Sequence, residues 1–203
     1  MKKCYIVGAG DFNNPFTPRD DDFVIAADGG YDSLKKHNIR CDLLIGDLDS
    51  LDCVPEKIEI QRHPVEKNET DMHLCYLEGK RRGYTDFVLL GGSGGRLDHT
   101  FANYALLSYI KSDGNKAVLS DGAVQTQIIK NEEIVLSSAE GNHLSVFAYG
   151  GNAYGVSITG AKYEASNITL KTDFPLGVSN SFLSRPAIIS VENGELLIIW
   201  TQG

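Results

Sequence analysis

An α/β first half built on a mostly parallel sheet, followed by an all-β second half, is the architecture this sequence predicts. Three observations carry it. Up to about residue 119, short apolar runs alternate with stretches of helical periodicity, the pattern of a sheet covered on both faces. Beyond about residue 120 no convincing helix remains, and short alternating or β-branched runs take over. Turn-forming clusters such as Gly150-Gly151-Asn152 and Glu192-Asn193-Gly194-Glu195 separate those runs. Two domains are therefore expected, one over residues 1–119 and one over 120–203.

The first strand is Tyr5–Val7, running into Gly8-Ala9-Gly10. A loop with Pro15, Pro18 and Asp20-Asp21-Asp22 follows and reads as a solvated segment. Phe23–Ala27 is the second strand, closed by Asp28-Gly29-Gly30. A short helix runs from Tyr31 to about His37, with Asn38 as its stop. Leu43–Ile45 is the third strand and ends in Gly46-Asp47-Leu48-Asp49-Ser50. Ile58–Gln61 is a weaker strand. Thr70 is a good N-cap for a helix that carries Met72, Cys75 and Tyr76 on one side and ends near Gly83. Phe87–Leu90 is another apolar strand, followed by the glycine-rich stretch Gly91 to His99. The clearest helix spans roughly 98–111, with Phe101, Ala102, Ala105, Leu106 and Ile110 at helical spacing. Ala117–Leu119 closes the set.

In the second half, strands are expected at 124–129, 133–137, 143–148, 154–158, 166–170, 187–191 and 195–200. Six or seven short strands over roughly 80 residues predict an antiparallel sandwich or small barrel. The Asn193-Gly194 pair reads as a hairpin turn.

The totals exclude several function classes. A net charge of −8 argues against a general nucleic-acid binder, whose footprint would be basic. It leaves a nucleotide substrate open, because a bound cation reverses the local sign of an acidic pocket. No apolar run approaches the length that spans a bilayer. The start, Met1 to Gly8, has a basic end but an apolar stretch too short for a signal peptide. Cys4, Cys41, Cys53 and Cys75 form no Cys-x-x-Cys pair, so buried reduced thiols and a cytoplasmic location are expected.

Four polar clusters fall at strand ends: Asp28-Gly29-Gly30, Asp47-Leu48-Asp49-Ser50, Lys67 to Asp71, and Gly91 to His99. In a parallel sheet all four loops emerge on one edge, where open α/β sheets bind ligands. Asp47 and Asp49 stand at i and i+2 on extended backbone, so their side chains share a face. Two carboxylates held together need a proton or a metal between them, although a plain polar turn uses the same residues. Asp71 in a first helical turn is favoured by the helix dipole alone. Beside Asp47 and Asp49 it would complete a hard oxygen site of the kind magnesium prefers. In Gly91-Gly92-Ser93-Gly94-Gly95-Arg96, glycines let backbone N–H groups approach phosphate, and Arg96 offers a forked permanent charge. Asp98 is either a helix cap or a partner to Arg96 and a nucleotide. His99 sits in the exit of the glycine loop, whereas His63, His73 and His143 read as structural or surface residues.

Taken together, Asp28-Gly-Gly, Gly46-Asp-Leu-Asp-Ser50, Lys67-x-x-Thr-Asp71 and Gly94-Gly-Arg-Leu-Asp-His99 resemble the motifs of thiamine pyrophosphokinases, in their order and approximate spacing. Thr159-Gly-Ala-Lys-Tyr163 and Gly177-Val-Ser-Asn180 resemble that family's C-terminal pattern. The resemblance implies transfer of the pyrophosphoryl unit of ATP to the hydroxyl of thiamine, giving thiamine diphosphate and AMP with Mg2+. It implies a Rossmann-like N-terminal domain, a C-terminal β-sandwich that binds thiamine and dimerises, and a homodimer with active sites between subunits. Carried over, it makes Asp47, Asp49 and Asp71 metal ligands. Asp28, Gly29, Lys67, the Gly91–Gly95 loop, Arg96, Asp98 and His99 fall on the ATP side. Asp71, Arg96 and Asp98 would act in catalysis, with Asp71 or Asp98 as proton acceptor. Tyr163, Ser179 and Asn180 would face thiamine, and Trp200 reads as a core residue.

Two other readings stand beside this one. Leu43 to Leu51 also resembles the first motif of haloacid-dehalogenase-type phosphatases, with Asp47 as nucleophile. Against it, Gly46 replaces an apolar strand residue, Ser50-Leu51 replaces Gly-Thr, and the strand is the third in the chain. A non-catalytic nucleotide- or thiamine-binding protein is the other, and the presence of all three candidate metal carboxylates speaks against it.

Overall fold

A computed structural model describes residues 2–13, 15–48, 58–64 and 66–202 of the chain. It divides into two compact units, Met1–Gly122 and Ala123–Gly203. Among the described residues it is a mixed-sheet protein with three helices.

The first unit holds β1 (Cys4–Val7), β2 (Phe23–Ala27), α1 (Gly30–Lys36), β3 (Leu43–Gly46), β4 (Glu59–Arg62), α2 (Asp71–Arg81), β5 (Asp86–Leu90), α3 (Leu97–Ser112) and β6 (Lys116–Asp121). The strands lie in the order β4-β3-β2-β1-β5-β6, and every neighbouring pair is parallel. Consecutive residues of β3, Leu43, Leu44 and Ile45, are fully buried, as a strand covered on both faces requires. Val7, Val24, Ala26, Leu34, Leu44 and Val88 meet in one cluster. Each large apolar side chain buried there is worth about 1.5–3 kcal/mol. The weaker strand predicted at 58–61 is β4, at the edge and half open to solvent.

Local signals account for the helix ends. Asn38 takes φ 54°, the left-handed setting that stops α1. Thr70 caps α2 by accepting the His73 N–H at 3.2 Å. The predicted buried face of α3 needs correction. Phe101 is 64% exposed and Ala105 is exposed, while Thr100, Asn103, Leu106, Leu107 and Ile110 turn inward. Two polar residues take inward places because their hydrogen bonds are met there: Thr100 Oγ1 donates to Arg96 O, and Asn103 Nδ2 to Gly92 O. Cys4, Cys41 and Cys75 are free thiols, and burial pushes Cys41 up to about 12. Cys53 lies outside the described residues.

The second unit holds β7 (Val124–Lys130), β8 (Glu133–Leu136), β9 (His143–Thr159), β10 (Ala165–Leu170), β11 (Asn180–Ser181), β12 (Ala187–Ser190) and β13 (Asn193–Thr201). All its pairings are antiparallel. Gly150-Gly151-Asn152 does not separate two strands, as the turn chemistry predicted. One 17-residue strand, β9, runs through it. The N-terminal part of β9 pairs with β13 and β11, and the part after Asn152 pairs mainly with β10 and β12, although Tyr154 still lies opposite Asn193 of β13. The positive φ of Gly150, 68°, falls where the partners change. The predicted hairpin at Asn193-Gly194 is also absent. β12 pairs with β8 and β9, whereas β13 pairs with β7 and β9. Gly194 instead exchanges hydrogen bonds with Asn131, through that residue's side chain and its N–H.

Candidate active site

The order β4-β3-β2-β1-β5-β6 reverses at β1 and β5, and that reversal opens a crevice at the C-terminal ends of the two strands. Two glycine loops meet there. Gly8 N–H donates to Leu90 O (2.8 Å), Gly10 N–H to Gly91 O (2.9 Å) and Asp11 N–H to Ser93 O (3.0 Å). The loops are stitched so closely that a Cβ on Gly8 would stand 2.7 Å from Gly91 O. One on Gly10 would run into Ser93 O. Both positions therefore require glycine.

Around this crevice the other strand ends supply charge. Asp28 follows β2 with φ 46°, and Asp47 follows β3, with Leu48 at φ 66° behind it. A cavity of about 450 Å³ is lined by Asp28, Asp47, Lys67, Asp71, Arg96 and His99, with Met72, Ala102 and Asn103 on its wall. A neighbouring cavity of about 350 Å³ is lined by Gly8–Gly10 and Gly91–Gly95 and shares Met72, Arg96, His99 and Asn103. Both fall in the size range of small-molecule sites.

The charges are paired locally. Lys67 Nζ reaches Asp71 Oδ1 at 2.6 Å. Arg96 forks onto Asp98, Nη2 to Oδ2 at 2.5 Å and Nε to Oδ1 at 3.2 Å. That guanidinium holds the Asp98 carboxyl down at about 2, and the His99 N–H adds to the effect. Both side chains are largely exposed. Asp98 makes no cap for α3, whose N-cap is Arg96 without a side-chain bond. The cap expectation for Asp98 is thus replaced by its pairing with Arg96.

Asp28, Lys67, Asp47, Asp71, Gly91–Gly95, Arg96 and His99 are brought to these cavities. Gly29 and Asp98 line neither. Gly29 is spent as the residue before α1, and Asp98 is turned to Arg96. Asp49 lies outside the described residues. Among the described residues, no three acidic, histidine or cysteine side chains stand close enough to hold a metal ion unaided. The donor set still suits magnesium, which takes one or two carboxylates and completes its shell with water and substrate phosphates.

In the second unit Tyr163, Ser179 and Asn180 stand together. Asn180 is buried, and its amide is spent on the Tyr163 backbone: Nδ2 donates to Tyr163 O at 2.8 Å, and Oδ1 accepts Tyr163 N–H at 2.9 Å. Ser179, at φ 61°, donates its N–H to Ser145 Oγ. Tyr163 is 60% exposed. Trp200 is buried in β13, as expected for a core residue.

Gly8, Gly10, Met72 and Asn103 were not among the predicted site residues. The Gly-x-Gly at the end of the first strand was the available signal for the glycines. Asn103 had none, since its partner is the carbonyl of Gly92, 11 residues away.

Residues 18–119 match the family model described as thiamin pyrophosphokinase, catalytic domain, and residues 126–196 match thiamin pyrophosphokinase, vitamin B1 binding domain. The chain is 30% identical to thiamine pyrophosphokinase 2 of Oryza sativa subsp. japonica over 197 residues, covering 88% of this chain and 70% of the rice protein. Its fold is similar to that of the Bacillus subtilis thiamine pyrophosphokinase crystal structure, with a TM-score of 0.85, 22% identity and coverage of 98% and 99% of the two chains. It is also similar to the yeast thiamin pyrophosphokinase structure, with a TM-score of 0.75, 16% identity and coverage of 98% and 86%.

Proposed function

The chain belongs to the thiamine pyrophosphokinase family, and from that membership we infer how the cavity at the β1–β5 edge serves the family's reaction. The protein is an ATP-dependent diphosphotransferase that moves the pyrophosphoryl group of ATP to the hydroxyl of thiamine, giving thiamine diphosphate and AMP. The phosphatase and non-catalytic readings are not favoured, since the catalytic-domain match contains Asp28, Asp47, Lys67, Asp71 and Arg96.

The convergence of those five residues on one cavity is the observation that supports the assignment of roles. In the reaction, the thiamine hydroxyl oxygen attacks the β-phosphorus of ATP. The bond from that phosphorus to the α,β-bridging oxygen breaks, and AMP leaves with the oxygen. Such a transfer is driven by positioning and charge neutralisation rather than by a covalent enzyme intermediate. Lys67, Arg96 and the glycine loop place the triphosphate, and Asp28 and His99 flank the nucleotide. The hydroxyl proton passes to Asp71, which stands on the cavity wall. Asp98, held ionised by Arg96 and turned away from the cavity, orients that arginine instead. Asp47, Asp49 and Asp71 would hold magnesium, which when bound neutralises and orients the ATP phosphates.

Tyr163 and Ser179 meet the thiamine, and Asn180 fixes the backbone of Tyr163. A cationic heterocycle suits an aromatic face. The protein works as a homodimer with active sites between subunits and resides in the cytoplasm, where thiols such as Cys4 and Cys75 stay reduced. The first unit is Rossmann-like, an assignment supported by its parallel strand order. The second is a β-sandwich, supported by the division of β9 between two sets of partners.

The test is thiamine-dependent turnover of ATP with product identification. AMP and thiamine diphosphate in equal amounts are expected, and ADP or free phosphate as the nucleotide-derived product would contradict the assignment.

A further inference from the structure

We propose that Asp121 and Asn103 are positioning residues for the nucleotide. They fix the Gly91–Ser93 part of the glycine loop from behind and leave Gly94, Gly95 and Arg96 to meet the phosphates. The proposal rests on the ATP-binding reading above and deepens it.

Every carbonyl from Leu90 to Ser93 is turned into the protein. Leu90 O, Gly91 O and Ser93 O accept the N–H groups of Gly8, Gly10 and Asp11. Gly92 O accepts Asn103 Nδ2 at 2.6 Å. Asn103 is 5% exposed and lines both cavities, so this bond ties the loop to α3 at the cavity wall. A Cβ on Gly92 would press on that amide at 3.2 Å and run into Leu119.

The opposite side of the loop faces a carboxylate. β5 and β6 are parallel with Leu89 beside Leu119, so Asp121 continues the register beside Gly91. Both of its side-chain oxygens are cut off from solvent, and neither completes a hydrogen bond. Burial raises the Asp121 carboxyl above the usual range. The Ser93 side chain and the N–H groups of Gly92, Gly91 and Ser93 draw it back. A desolvated carboxylate is unfavourable unless donors face it, and the donors facing this one belong to the glycine loop.

Loop amides that sit against an internal acid, even short of completed hydrogen bonds, are less available to an external anion. Gly94 and Gly95 lie beyond its reach, exposed and at φ 81° and 59°. They lead directly into Arg96. The glycine loop is therefore divided into an anchored half and a ligand-facing half.

Binding of an α,β-methylene analogue of ATP with magnesium, measured by calorimetry on the full chain, tests the proposal. Asp121→Asn keeps the shape but turns an amide donor toward N–H groups, and Asn103→Ser removes the tie to Gly92. Each is expected to weaken analogue binding about tenfold while the thiamine KM stays at its wild-type value. Wild-type analogue affinity in either folded variant overturns the proposal, because a merely space-filling role predicts that result for Asp121→Asn. A wild-type protein that binds the analogue but forms no AMP would defeat the activity assignment instead, and the comparison of affinities would still decide the roles of Asp121 and Asn103.

Discussion

Lys67 and Asp71 meet across 2.6 Å where the chain enters α2, the lysine side chain 13% exposed and the carboxylate 32%. The lysine is the better buried partner, and both line the larger cavity. Its charge therefore acts on Asp71 and on any phosphate that enters beside it.

Lys67→Met removes that charge and keeps most of the side-chain volume. The kcat/KM for ATP is expected to fall about 100-fold, with the thermal midpoint nearly unchanged, since partly exposed ion pairs add little stability. Steady-state kinetics and a melting curve on the same preparation check both halves.

Tyr163→Ala should raise the thiamine KM about tenfold and leave the ATP KM unchanged, as loss of one cation–π face implies. An equal rise in both constants would remove Tyr163 from the thiamine side. Varying each substrate at saturation of the other separates the two outcomes.

Gly10→Ala forces a methyl group against the carbonyl oxygens of Ser93 and Gly91. The stitched loops must part to admit it, at about 1–3 kcal/mol of stability. Urea unfolding measures that loss, and a raised ATP KM is expected to accompany it. Full stability in the variant would contradict the packing described at the β1–β5 crevice.

Glu78 gives the clearest pH signature. Arg81 bonds both of its oxygens at 2.7 Å and Arg82 bonds one of them, holding the carboxyl near 2 rather than at its ordinary 4.5. Because the folded value is depressed, the contribution is full above pH 4.5 and is lost as the pH falls toward 2. Glu78→Gln should cost about 1–2 kcal/mol at pH 7, solvent screening of Arg81 allowed for. Chemical unfolding of both proteins at pH 7 and pH 2.5 should show that gap closing in acid.

How much of the structure is legible in the sequence depends on the range of the interaction. Phe23–Ala27 is legible to the residue, because a buried parallel strand is a continuous apolar run ended by turn residues. The common sheet edge of Asp28, Asp47 and the glycine loop followed from parallel pairing alone. The inward face of α3 is legible only in part: Leu106 and Ile110 are buried as their spacing predicts, but Phe101 is exposed and Thr100 and Asn103 turn inward. Periodicity counts apolar residues, and Asn103 is turned inward by a carbonyl on a separate loop. The same holds for Gly150-Gly151-Asn152 and Asn193-Gly194. Their local chemistry is that of turns, but the path of β9 and β13 is set by pairing across the unit. Asp121, a lone acid at a strand end, carried no sequence signal.

The role of the cavity is tested most directly by Asp47→Asn. Asp47 lines the cavity at the end of β3, and the substitution keeps its size while removing its charge. Thiamine-dependent AMP formation should fall by at least about 100-fold in a variant that melts within about 2 °C of wild type. A folded Asp47→Asn protein that forms AMP at close to the full rate would contradict the assignment of this carboxylate cavity as the site of pyrophosphoryl transfer.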